Sequence, residues 1–517
     1  MAPYLGLRGK ALNYAISLTA GVAFLLQGYD QGVLGSLLTL ESFVATFPGI
    51  DTANTTGAKK NHNSVIQGTV VAVFELGALL GCWGCVAFGD KLGRRKTICV
   101  GMVVVIIGAA LQASSFSLAQ LSVSRVITGC GVGVATATVP IWVAECSRAH
   151  DRGSLVVVEG FFACMGGMLS AWVDLGLYLH SKGSVTWRFP IAFQIVFPIM
   201  VIIMVSQLPE SPRWLIKKER IPEATELMSI LDELPVDSEE LAADVQNIWH
   251  HAKNDQVRNF RHLFQKTQKR YMHRMILALS IQCFNQLTGI DALSYYAAVI
   301  YQQGLRLDVT SSKVVAGLLE TWQWLCTSIP FFVVDRFGRR PLILFGTIGM
   351  SICMCFLAGL VSIIDRSKGV QIGAVFFTFA FNFFFPIALL AVAFLYTVEI
   401  VPLEIRAQST GIAVSGNWLM NFLVAEVTPT GFATIGYRYY IVYACTNAAI
   451  AICIYFFFPE TKDLSLEDVD DMFVKSPGIR AVVKHKFTRD EVQTITQTQT
   501  DSGKSTGINH VEDIKGV

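Results

Sequence analysis

Twelve long stretches of this chain carry almost no charge, and that leaves few folds open to it. Five carry none at all: residues 98–118, 189–208, 342–364, 370–398 and 439–458. Seven more carry one or two ionisable side chains: 13–36, 65–88, 120–144, 155–178, 275–301, 312–334 and 409–430. A helix needs about 20 mostly apolar residues to cross a bilayer. Inside lipid, each backbone N–H and C=O must be bonded within its own element. The expectation is therefore an all-α membrane protein with twelve transmembrane helices. An even number puts both termini on the same side.

The charges that remain are concentrated. Of the 80 charged side chains, 22 lie in residues 209–274 and 19 in residues 459–517. These two pieces read as water-facing. The chain is 52% hydrophobic and 15% charged, against about 25% charged in an ordinary soluble protein. A small soluble enzyme is excluded on that ground. A net charge of +2 without a basic stripe gives no reason to expect a nucleic-acid partner. Most of the twelve cysteines sit in apolar runs and read as small hydrophobes, not as a disulfide framework. Cys82-x-x-Cys85 has no second pair or histidine cluster with it, so helix packing is expected there and no metal or other cofactor is implied. The first apolar run lacks a small-residue cleavage site and continues into Asp30, so it reads as a span and not as a cleaved leader.

Lysine and arginine in short loops set orientation. The loop after the second span contains Asp90-Lys91-Leu92-Gly93-Arg94-Arg95-Lys96, and the loop after the eighth contains Asp335-Arg336-Phe337-Gly338-Arg339-Arg340. Arg148 and Arg152 follow the fourth span. These loops, both termini and residues 209–274 are expected in the cytoplasm. The first loop is then outside, where Asn54-Thr55-Thr56 is a usable glycosylation sequon at Asn54.

Three features recur in the same order. Asp90-x-x-Gly93-Arg94-Arg95 returns 245 residues on as Asp335-x-x-Gly338-Arg339-Arg340. Glu145 and Arg152 return 254 residues on as Glu399 and Arg406. Pro209-Glu210-Ser211 returns 250 residues on as Pro459-Glu460-Thr461. The repetition divides the chain into a cytoplasmic N-terminus (1–12), a first six-helix bundle (13–208), a cytoplasmic helical linker (209–274), a second six-helix bundle (275–458) and a cytoplasmic tail (459–517). The tail is expected to be disordered after about residue 475. Two parallel six-span repeats with a site between them describe a transporter that rocks about that site.

The same motifs carry a resemblance. Gly89-Asp90-x-x-Gly93-Arg94-Arg95, Pro209-Glu210-Ser211-Pro212-Arg213-Trp214-Leu215, Asp335-x-Phe337-Gly338-Arg339-Arg340 and Pro459-Glu460-Thr461-Lys462 resemble the signatures of the sugar porter family of the major facilitator superfamily, over roughly residues 12–470. Gly28-Tyr29-Asp30-Gln31-Gly32 and Trp187-Arg188-Phe189-Pro190 are similar to the fungal, glycerol-symporter-like branch. The resemblance implies the major facilitator fold in two pseudo-symmetric halves.

The duplicated charges suggest a cytoplasmic gate. Arg94, Arg95 and Arg152 can meet Glu145 and Glu210 in the first half. Arg339, Arg340 and Arg406 can meet Glu399 and Glu460 in the second. Half-desolvated ion pairs of this kind would hold the halves together inside while the site faces out. The alternative is topology alone. The linker mixes charges with apolar residues at helical spacing and is expected to form short helices bracing the two halves.

Asp30 lies within the first span, where a carboxylate is costly unless paired or functional. Arg125, early in the fourth span, is its natural partner. A partner that comes and goes with conformation would load and release a proton. In the family, an acid at the position of Asp30 marks proton-coupled members, and facilitators have a neutral residue there. The alternative is a static pair. Glu75, Glu159, Asp174, Glu320 and Glu426 also fall in or near spans, and each reads as a helix-end or pocket-lining residue, with a second proton site as the alternative.

A sugar needs many directional hydrogen bonds and an apolar face. The seventh span supplies Gln282, Asn285, Gln286, Asp291, Tyr295 and Tyr296, the eighth Gln323, and the eleventh Asn417, Trp418 and Asn421. Amides in an apolar helix must be satisfied by neighbours or by a ligand. The resemblance implies that Gln282, Gln286, Asn417 and Asn421 occupy the family's pocket positions. Asn285 stands in place of a glutamine there, and Asp291 and Gln323 in place of asparagines. The tenth span lacks the family's Gly-Pro-x-Pro-Trp run. It has Ala391-Val392-Ala393-Phe394, so Phe394 replaces a sugar-stacking tryptophan. The functional expectation is a monomeric plasma-membrane symporter carrying a monosaccharide with protons. The alternatives are a polyol, glycerol or sugar-acid (galacturonate) symporter, a carrier of a specialised fungal metabolite, a non-transporting nutrient sensor, or a membrane enzyme, for which no nucleophile–base constellation is present.

Overall fold

A computed structural model describes residues 3–147, 152–254, 269–402, 405–462, 464, 466–476 and 482–483. It is helical throughout, with no strand among the described residues. The first half contains Gly9–Leu37, Gly57–Leu92, Arg94–Ala113, Leu118–Cys146 and Arg152–His180, with a sixth span in two pieces, Val185–Phe193 and Val196–Gln207. In the second half the seventh span is broken into Tyr271–Leu287, Ile290–Tyr295 and Ala297–Val299. The eighth is Val309–Cys326 and Pro330–Phe337, the ninth Arg339–Ser362, and the tenth Lys368–Phe385 and Val392–Ile400. Arg406–Ile435 and Arg438–Phe457 complete it.

Among the described residues, ten helical segments are long and apolar enough to cross a membrane on their own composition. The eighth and eleventh spans fall short. The eighth carries Lys313 and Glu320 and breaks at Pro330; the eleventh carries Asn417, Asn421 and Glu426. Their polarity has a cause in packing, because both spans lie on the seam between the halves. The eleventh lies along the second, where Trp83 Nε1 donates to Ser415 Oγ at 3.0 Å and Thr69 Oγ1 donates to Glu426 Oε1 at 2.8 Å. The eighth lies along the fifth, where Trp172 Nε1 donates to Thr321 Oγ1 at 2.9 Å. Polar side chains are tolerated where a neighbouring helix, not lipid, meets them.

Two spans near the centre are irregular. The seventh breaks at Gly289, whose φ of +90° belongs to the left-handed region, and ends in a π-turn at Ile300–Gly304. The tenth carries a π-turn at Pro386–Leu390, beginning at a proline that has no N–H to donate.

The duplicated loops have one purpose in packing. Gly93 (φ +89°, ψ 169°) and Gly338 (φ +92°, ψ 168°) start the third and ninth spans in a backbone region open almost only to glycine. A carboxylate from the far end of the same half caps each helix. Glu210 Oε1 accepts from Arg94 N at 2.9 Å, and its two oxygens lie 3.4 and 3.3 Å from Arg95 N. Glu460 accepts from Arg339 N at 2.9 Å and Arg340 N at 3.0 Å. Such a cap satisfies the first orphan N–H groups and meets the positive end of the helix dipole.

Linker helices Pro212–Lys217, Ile221–Asp232 and Glu239–Asn254 stack on one another and against the first half, with Gly9 backed onto Glu233. The expected brace across both halves depends in part on residues 255–268, which lie outside the described residues. A final helix, Leu466–Lys475, docks on the second half through Asp470, which reaches Arg274 at 2.7 Å and Lys269 at 3.0 Å, and through Phe473 beneath the Arg274 guanidinium. The expected disorder of the tail falls on residues of which 477–481 and 484–517 lie outside the described ones.

At the end opposite the Gly-Arg-Arg loops, the halves are clasped. Lys313, buried in the eighth span, donates to Ser36 O at 2.6 Å and Thr39 Oγ1 at 2.8 Å and sits over the Tyr178 ring. Asp174 of the fifth span, also buried, offsets its charge.

Replacing Gly338 by Ala forces a side chain into a disallowed φ and to 2.8 Å from Glu460 Oε2. It should destabilise the second half by about 1–3 kcal/mol, read as a lowered melting midpoint of detergent-solubilised protein. Gly359→Ala, in the same helix with nothing within 4 Å of the new atom, should be neutral or stabilising.

Candidate functional site

The first half contributes a buried ion pair. Asp30 is 0% exposed and Arg125 1%. Arg125 Nη1 donates to Asp30 Oδ1 at 3.1 Å and Nη2 to Val71 O at 3.1 Å, while the guanidinium lies over the Phe74 ring at 4.7 Å. The pair is incompletely satisfied, because Asp30 Oδ2 and Arg125 Nε have no hydrogen-bond partner among the described residues. A buried pair that serves only stability needs its remaining lone pairs and protons bonded. This one leaves an acceptor and a donor free.

The second half contributes an amide network. Asn417 Nδ2 donates to Gln282 Oε1 at 3.0 Å, and Gln286 Nε2 donates to Asn417 Oδ1 at 3.0 Å. Gln282 Nε2 in turn donates to Thr397 Oγ1 of the tenth span at 3.2 Å. The i, i+4 spacing of Gln282 and Gln286 puts both on the face of the seventh span that meets the eleventh. Asn285 and Asp291 are buried beside them, and Asp291 Oδ2 has no partner among the described residues. Gln323, from the eighth span, accepts from Ser294 Oγ at 3.4 Å and reaches Cys164 Sγ of the first half at 3.7 Å. Trp418 is buried against Ala78 and Cys82 of the second span, so it lies on the seam. Phe394 stands about a third exposed (36%), on the side of the tenth span away from buried Val392 and Tyr396.

Tyr295 bridges the second and eleventh spans. Its hydroxyl donates to Glu75 Oε1 of the second span at 3.2 Å and accepts from Asn421 Nδ2 at 3.1 Å. Tyr296, next in sequence, turns away and donates to Ala425 O at 2.8 Å. The approach is close because Gly35 lies against Tyr295 O, where any Cβ would come within 2.3 Å.

Among the described residues, the charges expected at a cytoplasmic gate form the clamps expected inside each half. Arg94 makes a bidentate pair with Glu145, both distances 3.0 Å. Arg339 does the same with Glu399 at 3.1 and 2.7 Å, and Thr461 Oγ1 donates to Glu399 Oε2 at 2.6 Å. Arg95 and Arg340 turn to backbone carbonyls, Ser206 O and Tyr455 O, and Arg406 to Val401 O. The reason is reach: Glu210 and Glu460 are occupied by backbone N–H groups, and each remaining acid lies on the span next to its arginine. The Arg152 side chain lies outside the described residues. Asn54 is exposed, with its amide donating to Asp51 Oδ2 at 3.2 Å, at the end away from the Gly-Arg-Arg loops.

Sequence reasoning missed Lys313 altogether. The signal was present: Asp174 in the fifth span needed a cation, and Lys313 is the lysine inside the eighth. It named Glu75 without a partner, because a contact between the second and seventh spans leaves no trace in local spacing.

Comparisons with known proteins agree with this architecture. The family described as sugar (and other) transporter matches residues 16–473. The sugar transporter STL1 of Saccharomyces cerevisiae is 35% identical over 479 residues, covering 91% of this chain and 83% of its own. The MFS-type transporter oryC of Aspergillus oryzae is 34% identical, covering 92% and 88%. Among solved structures, the proton:xylose symporter XylE, bound to 6-bromo-6-deoxy-D-glucose, superposes with a TM-score of 0.73 at 22% identity, over 90% of this chain and 100% of that one. Clamps at the duplicated loops, a broken seventh span, a buried ion pair in the first half and an amide network in the second thus accompany a match along nearly the whole chain, and the chain belongs to the sugar porter family of the major facilitator superfamily, a family of membrane proteins that are not enzymes.

Proposed function

We propose that this protein imports a monosaccharide or a related polyhydroxy compound across the plasma membrane together with protons, by alternating access. The observation that carries the reading is the Asp30–Arg125 pair: wholly buried, half satisfied, and on the first span, whose Gly35 lies against Tyr295 O of the seventh. Asp30 is assigned the proton and Arg125 the switchable partner. Gln282, Asn285, Gln286, Asp291, Tyr295, Gln323, Asn417, Trp418 and Asn421 are assigned the substrate, with Phe394 as an apolar wall. The similar XylE is itself a proton:xylose symporter, and STL1 a sugar transporter.

Free energy is sufficient for accumulation. One charge crossing 100 mV gains about 2.3 kcal/mol, and one pH unit adds roughly 1.4 kcal/mol. Together these support a gradient of roughly several hundredfold. A sugar acid is the weaker alternative, since its carboxylate would have to compete with Asp30 for Arg125. The positive-inside bias assigns the Gly-Arg-Arg loops, the linker and both termini to the cytoplasm. The Lys313 clasp then closes the outer end, and the clamps at Glu145 and Glu399 keep each half rigid as it rocks.

Radiolabelled uptake in a transporter-null yeast, over hexoses, pentoses and polyols with and without a protonophore, tests the assignment. Wild type should accumulate one of these compounds and lose accumulation with the protonophore. Asp30→Asn should abolish uphill uptake while leaving counterflow exchange, and full accumulation by that variant refutes the role of Asp30. For the orientation, endoglycosidase should shift the mobility of the wild-type protein and leave Asn54→Gln unchanged. An equal shift in both would remove Asn54 as the modified site.

A further inference from the structure

We propose that Glu75 is the second acid of the proton site: it competes with Asp30 for Arg125, holds a proton while Asp30 has that cation, and passes the proton on toward the cytoplasm. The proposal rests on the reading of Asp30 as proton acceptor and Arg125 as its switchable partner. It goes further by giving Arg125 a second partner and the proton a way out.

The geometry centres on one carbonyl. Arg125 Nη2 donates to Val71 O of the second span at 3.1 Å. In an α-helix the carbonyl of residue 71 also accepts from the N–H of residue 75, and residues four apart share a face. The guanidinium therefore sits one turn from Glu75 on the same face of the span, over the ring of Phe74. Its Nη1 meanwhile reaches Asp30 Oδ1 at 3.1 Å. One cation thus stands between two buried acids, Asp30 at 0% and Glu75 at 1% exposed. Each of the three has an atom to spare: Asp30 Oδ2, Glu75 Oε2 and Arg125 Nε are buried without a partner among the described residues.

Charge assigns the proton. A carboxylate buried without a cation is too costly to persist, and the group takes a proton instead. Arg125 balances one carboxylate, and here it is bonded to Asp30. The other groups facing Glu75 are Gln31 from the first span, Asp291 and Tyr295 from the seventh and, through Tyr295, Asn421 from the eleventh. None of these is a cation, so Glu75 is the acid that holds the proton. Position gives the direction of travel. The second span runs from the Asn54 end to the Gly-Arg-Arg loop. Glu75 lies one turn, about 6 Å, closer to that loop than the carbonyl that holds Arg125.

The cycle balances on one proton. Asp30 takes a proton from outside, an O–H bond forms at its carboxylate, and Arg125 is released. The O–H bond of Glu75 breaks, its proton leaves to the cytoplasmic side, and its carboxylate takes Arg125. On return the proton on Asp30 passes to Glu75 and Arg125 goes back to Asp30. Neither acid is ever charged without the arginine. The Tyr295 hydroxyl, bonded to Glu75 Oε1 at 3.2 Å, ties this exchange to the broken seventh span.

Infrared difference spectra of the purified full-length protein at neutral pH test the competition through the C=O stretch of a protonated carboxyl and its shift in D2O. Subtracting Glu75→Gln from wild type should leave such a band. Subtracting the double variant Glu75→Gln, Asp30→Asn from Asp30→Asn should leave none, because without a competitor Glu75 ionises against Arg125. A purely structural role would not make the protonation of Glu75 depend on Asp30. A band that persists on the Asp30→Asn background, or that is missing from the wild-type difference, overturns the proposal. In liposomes with labelled D-xylose or glycerol and an imposed gradient, acid outside, Glu75→Gln should lose uphill accumulation and proton entry while exchange continues. Glu75→Asp, which keeps the acid, should recover both. Full proton-coupled accumulation by Glu75→Gln overturns the proposal and leaves Asp30 its role, whereas full accumulation by Asp30→Asn defeats the reading on which the proposal stands. If Glu75→Gln exchanges no solute at all, Glu75→Asp decides, and exchange by that variant without proton entry overturns the proposal.

Discussion

Every polar group inside a bilayer must find a partner, and this structure is organised by where those partners are. Lipid-facing surfaces of the spans are apolar, with Phe332, Ile372 and Phe376 among the most exposed side chains. Acids, amides and the buried lysine lie where helix meets helix. The eighth and eleventh spans are too polar to cross unaided, and they are two of the spans along which the halves touch. Polarity that would be costly in lipid becomes the seam of the molecule and the lining of its site.

The same constraint explains the boundary motifs. A helix that begins at the membrane edge exposes N–H groups that its own residues cannot satisfy. Here a glycine at positive φ turns the chain sharply enough for a distant glutamate to do so, once in each half, with Gly93 and Glu210 matched by Gly338 and Glu460. The neighbouring Arg–Glu clamps fix the third span to the fourth and the ninth to the tenth. Trp142 and Tyr396, at corresponding places, each donate to the proline preceding the capping glutamate, at 3.0 and 3.1 Å. The duplication first seen as spacing in sequence is a duplicated set of hydrogen bonds.

Much of this was legible in the chain. Apolar windows gave the spans, and the repeated Asp-x-x-Gly-Arg-Arg gave the two halves. Helical spacing groups Gln282 with Gln286, the family resemblance adds Asn417, and the three bond to one another. Asp30 and Arg125 were paired because each needed the other. What was not legible depends on contacts between distant spans. Nothing local in Glu75 points to Tyr295, nothing in Lys313 points to Ser36, and the π-turns of the seventh and tenth spans follow from tertiary packing and not from composition. The pairs expected inside each half, Arg94 with Glu145 and Arg339 with Glu399, do form, while Arg95 and Arg340 turn to backbone carbonyls because Glu210 and Glu460 are taken up by backbone N–H groups.

The central claim is that one buried acid links solute movement to hydrogen ions. The most direct measurement is made on purified protein in sealed liposomes, with D-xylose or glycerol at equal concentration on both sides and an imposed gradient, alkaline inside. The account predicts net inward movement of the solute against its own gradient, with entry of protons and collapse on addition of a protonophore. Solute that equilibrates freely in labelled exchange, yet shows no net movement when the gradient is imposed, would contradict it.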